Sequence, residues 1–112
     1  MRLDAYTIVF LRRPADSPTF TEEELDELQR GHLAFNARMR REGHALITGP
    51  FADQPDQAWR GISVFRTSID ETRKLLEGDP ALAARRMEAD VFTWLMPAGT
   101  LGDKPAARIG DP

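Results

Sequence analysis

The chain has 112 residues, 41% hydrophobic and 29% charged, which suits one globular domain with one core. Its formal net charge of -3 leaves no basic excess of the kind a nucleic-acid binder needs, so no nucleic-acid partner is expected. With no cysteine there can be no disulfide, thiolate metal site or thiol nucleophile.

The N-terminus lacks the cationic start and long apolar stretch of a signal peptide, and no run is long enough to span a bilayer. The expectation is a cytoplasmic protein without a membrane partner. Residues 5–12, AYTIVFLR, read as a strand. Tyr6, Ile8 and Phe10 point one way and Val9 and Leu11 the other, so both faces are apolar. Arg12-Arg13-Pro14 ends it. A helix then opens at Thr21, with Glu24 three residues on completing a capping box. Leu25, Leu28, His32, Phe35 and Met39 form one stripe at helical spacing. Acids fill the first turns and Arg38, Arg40 and Arg41 the last, matching the helix dipole without any binding partner. Gly43 stops the helix.

Residues 45–51 read as a second strand broken by Gly49-Pro50, and 59–67 as a third. In the third, alternation places Ile62 and Val64 on one face and Trp59 and Phe65 on the other. Ser68 or Asp70 caps a second helix that stops at Gly78. Asp79-Pro80 is a new N-cap followed by proline at the first helical position, opening a short helix over ALAARR. Residues 90–96 read as the last strand. From Pro97 on, Pro, Gly and charge dominate, which reads as a flexible tail, residues 98–112, ordered only by a partner; residues 1–97 are the domain. The order strand, helix, strand, strand, helix, strand predicts an α+β, ferredoxin-like βαββαβ sandwich. Two helices cover one sheet face, yet every strand is apolar on both. A homodimer packed sheet on sheet would bury the second.

His32 in the apolar stripe has two readings. It is a core histidine satisfied by the backbone or by Asn36 one turn on, or a general acid/base, since histidine exchanges protons near neutral pH. Asp79 before Pro80 reads as an ordinary helix cap. Gly49 and Pro50 mark a bulge or strand edge, or a place where backbone approaches a ligand. Arg12 is a solvated strand end or a site for an anionic substrate, and His44 a surface residue. His32 and His44 do not have metal-ligand spacing, and no Gly-rich phosphate loop occurs, so neither a metal nor a cofactor is expected.

Together, His32 on the first helix, the stop at Gly43, Gly49-Pro50, Gly61 in the third strand and Asp79-Pro80 resemble the pattern of the YCII-related (YciI-like) proteins, over nearly the whole chain to about Met96. The resemblance implies a dimeric α+β barrel with a pocket in each subunit. It also implies a His32–Asp79 pair as the active site of a small-molecule enzyme without a cofactor, in a family where a few relatives look like enzymes of small ring compounds. The alternative is a non-catalytic module that binds a small-molecule ligand. The loop between Arg13 and Phe20 and the tail after Pro97 depart from the pattern.

Overall fold

The computed structural model describes residues 2–110; Met1, Asp111 and Pro112, the ends of the expected domain and tail, lie outside the described residues. The elements are β1 (Leu3–Arg12), α1 (Glu22–Arg41), β2 (Ala45–Pro50), β3 (Trp59–Phe65), α2 (Ile69–Leu76), α3 (Pro80–Ala83), β4 (Glu88–Pro97) and β5 (Ala107–Ile109). All strand pairs are antiparallel and the main order is β2-β3-β1-β4, so the fold is ferredoxin-like α+β, as the element order predicts.

The capping chemistry read from the sequence is present. Thr21 Oγ1 accepts from the Glu24 N–H while the Glu24 carboxylate accepts from the Thr21 N–H. Gly43 leaves the helix at φ 81°, a left-handed conformation that favours glycine. For α2 the cap is Ser68, not Asp70, because Ser68 Oγ accepts from the Glu71 N–H.

The face of β1 that carries Val9 and Leu11 packs under the helices. Phe35 and Met39 of α1, Phe65 of β3 and Leu76 of α2 complete this core. On α1 the predicted stripe is the buried one: His32, Phe35 and Met39 are buried, and Leu25 and Leu28 half-buried. On the opposite sheet face Tyr6, Val64 and Met96 cluster. Further along that face Phe10 meets Trp59 and Phe92 edge-on, with ring centroids 5.9 and 6.2 Å apart.

Two expectations are corrected. Trp59 shares the face of Ile62 and Val64, not that of Phe65. The register slips between Leu11 and Arg12, so that Leu11 opposes Gly61 while Arg12 opposes Trp59. The extra residue of this bulge, Arg60, reverses the alternation and turns the indole onto Phe10. The C-terminal segment, expected as a flexible or partner-held tail, is held by its own chain. β5 pairs with Leu3–Ala5 of β1, and Leu101 packs on the Tyr6–Met96 cluster. Asp4, fully buried, binds the Arg108 guanidinium (Nε to Oδ1 2.6 Å) and the Gly99 N–H. A buried carboxylate needs such partners, and the tail supplies them.

Candidate active site

His32 projects from the middle of α1 with its side chain almost wholly buried. Its Nδ1 lies 2.7 Å from Asp79 Oδ2. Asp79 Oδ1 accepts from the Ala81 N–H, so one carboxylate caps α3 and holds the imidazole at once. A carboxylate oxygen accepts, so Nδ1 carries a proton, and in the neutral ring Nε2 is then the nitrogen with the lone pair. Asn36, one turn on, sets Nδ2 3.3 Å from Nε2, a long contact. The arrangement can therefore pass a proton through Nε2 while Asp79 fixes the tautomer.

The two elements meet because of Gly31. A Cβ on this residue would stand 2.5 Å from Pro80 Cγ, well inside carbon–carbon contact. Only a bare Cα lets the first residue of α3 press against α1, and that contact sets Asp79 beside His32. The sequence reading missed Gly31. Its signal was a glycine inside a strong helical stripe, which commonly marks a close approach.

His32 borders a cavity of about 300 Å³ between α1 and the β2–β3 edge. Asn36 and Leu33 line it from the helix; Gly49, Pro50, Gly61 and Ser63 line it from the sheet. Gly61 allows the strands to close there, since a Cβ on it would lie 2.7 Å from the Gly49 carbonyl oxygen. Ser63, buried mid-strand, enters the lining without having stood out in the sequence. Arg40 and Arg60 also border the cavity.

The candidate residues thus divide. His32, Gly49 and Pro50 come together at one cavity. Asp79 is 1% exposed and stands behind His32, outside the lining. Arg12 lies elsewhere: its guanidinium is bound by Asp90 and Glu88 across the β1–β4 pair, which occupies the charge that an anionic substrate would need. Asp90 is held below the usual carboxylate range chiefly by the hydrogen bond from Arg12. His44 sits half-buried beside Glu42, away from the cavity. No group of three or more His, Asp or Glu side chains that could hold a metal ion occurs among the described residues. No helix among them is long and apolar enough to cross a membrane.

Fold and site together define a small α+β protein with one buried histidine–carboxylate pair at a cavity. No family model matches the chain, and no curated sequence matches it either. Among solved structures it is similar to a 5-chloro-2-hydroxyhydroquinone dehydrochlorinase from Burkholderia phenoliruptrix AC1100 in complex with 2,5-dihydroxybenzoquinone. The TM-score is 0.59 at 17% identity, over 88% of this chain and 99% of that one. At that identity the likeness is one of α+β fold.

Proposed function

We propose that this chain is a YCII-related, cofactor-independent enzyme of small polar or aromatic compounds, acting as lyase, isomerase or hydrolase. Its catalytic group would be His32, and Asp79 would orient it. The observation that carries this reading is the 2.7 Å contact of Nδ1 with Asp79, which leaves Nε2 as the acceptor at the cavity. A substrate entering beside Gly49 and Pro50 would displace the long Asn36 contact and present its proton to Nε2. Asn36 would then be free to donate to a substrate oxygen. A structural neighbour that acts on a hydroxylated, chlorinated ring supports a compact ring compound as the substrate class.

We further propose a homodimer. Phe92 is 53% exposed and Trp94 44%, on the sheet face opposite the helices, where Ile47 is also exposed. An apolar face of this kind is rarely left in water. A second copy laid sheet on sheet would cover it and leave the His32 cavity free on the helix side.

A second reading has its own support. With Asp79 on one nitrogen and Asn36 on the other, both ring nitrogens of His32 have partners. In that case the chain binds and orients a ligand without turning it over. A panel of small hydroxylated and carboxylated ring compounds separates the two, followed by ¹⁵N NMR of His32 and by product analysis. The enzyme reading expects at least one compound to perturb Nε2 and be consumed. Compounds that bind at Nε2 and are recovered unchanged would favour the binding module.

A further inference from the structure

A second hollow of about 240 Å³ adjoins the His32 cavity, sharing Gln29, Arg60 and Met87 with it. Three arginines from distant parts of the chain converge there: Arg13 just after β1, Arg60 in β3 and Arg86 in the turn before β4. Asp26 is the one acid in its lining. Neither Arg13 nor Arg86 has a carboxylate partner among the described residues, and Arg60 gives one hydrogen bond, to the Gln57 carbonyl. Arg13 Nε is sealed from solvent with no hydrogen-bond partner among the described residues. Burial lowers the Arg13 pKa, and the neighbouring charges of Arg86 and Arg60 lower it further. Such a cluster is costly in a chain whose net charge is -3, where acids are plentiful. The Arg13–Phe20 loop is pinned in place by Asp16 on Arg85 and by Ser17 on the Arg85 carbonyl, so Arg13 and Arg86 are held on ordered chain.

We propose that this hollow is an oxyanion-binding site, in which Arg13, Arg60 and Arg86 take the carboxylate or phosphate group of a small molecule. Guanidinium groups suit this because their fixed N–H fork matches an oxyanion in two-point contact. Because the two hollows share a wall, the rest of that molecule extends toward His32. The site does not require His32 to be catalytic. It selects anionic ligands whether the neighbouring histidine transfers a proton or only contacts the ligand.

The test is an NMR titration of the full chain with inorganic phosphate and, separately, with acetate, against sodium chloride at matched ionic strength. The Arg13 Nε–Hε resonance is expected to shift saturably with one oxyanion and not with chloride. Arg13→Gln and Arg86→Gln should each weaken that binding about tenfold or more, the loss of one charge-assisted contact. His32→Ala should leave it within about twofold, since no contact is lost. The more responsive of phosphate and acetate identifies the group recognised. Should Arg13→Gln fail to fold, Arg86→Gln, on a half-exposed turn, decides alone. Shifts that do not saturate, that chloride reproduces, or that survive Arg86→Gln would overturn the proposal.

Discussion

Gly31→Ala places a methyl group where the fold has no room. The added Cβ would stand 2.5 Å from Pro80 Cγ, whereas carbons in contact sit about 3.5–4.0 Å apart. Pro80 is a ring at the first position of α3 and cannot swing aside as a flexible side chain would. The short helix must retreat by about 1 Å, and Asp79 moves with it. A 2.7 Å contact stretched by that amount is no longer a hydrogen bond. Overpacking of this kind costs about 1–3 kcal/mol, while alanine in place of mid-helix glycine returns about 0.5–1. The net loss is up to about 2.5 kcal/mol, a Tm lowered by up to roughly 10 °C for a chain of this size. Thermal unfolding by circular dichroism reads the first effect. The Nδ1–H proton of His32, shifted downfield by its carboxylate partner, reads the second and should broaden or move upfield. A Tm that rises by a few degrees with that proton unchanged would refute the reasoning, for then propensity alone would act and α3 would have had room to spare.

Other consequences follow from the same geometry. Asp79→Ala removes a cap and leaves a buried ring nitrogen unpaired, so a loss of about 2–4 kcal/mol is expected in denaturant titration. Asp79→Asn keeps a cap oxygen and should cost less than half as much, yet it faces Nδ1 with an amide donor and should invert the His32 tautomer seen by ¹⁵N NMR. Equal losses for the two variants would contradict the shared role of the carboxylate. On the open sheet face, Phe92→Glu should convert a dimer to a monomer in sedimentation; unchanged mass would count against the interface. Acid should loosen the C-terminal segment first. Arg108 and the Gly99 N–H hold the Asp4 carboxyl below its ordinary range. Its contribution is therefore complete above pH about 4 and lost as pH falls through the lowered folded value. Amide exchange of residues 107–109 should accelerate in that window ahead of the core, and Asp4→Asn should make it fast at every pH. Exchange that ignores both would show that the ion pair does not hold β5.

What the sequence could show was whatever local chemistry determines. The Thr21–Glu24 box, the stop at Gly43 and the stripe through His32, Phe35 and Met39 are all encoded within a turn or two of helix. The cap at Asp79 was likewise accessible from Asp79-Pro80, whereas its pairing with His32, far away in the chain, came only through the family resemblance. Three features were not legible, each depending on residues far apart in the chain. The bulge at Arg60 appears only when β3 is laid against β1, and alternation by itself puts Trp59 on the wrong face. The segment after Pro97 has a poor strand composition; it is ordered by Asp4, more than a hundred residues earlier, which needs a cation. The arginines of the second hollow come from three separate turns and strand ends, where a lone arginine reads as solvated.

The proposed function makes His32 the group that moves the proton. Its most direct test is kcat/KM for the wild type and His32→Ala on the first compound the wild type is found to transform, with Tm and oligomeric state measured beside it. A fall of about 10²–10⁴-fold in an otherwise intact fold is the expected result. A His32→Ala protein that turns the compound over at the wild-type rate would contradict it and leave the pair as a structural feature of the core.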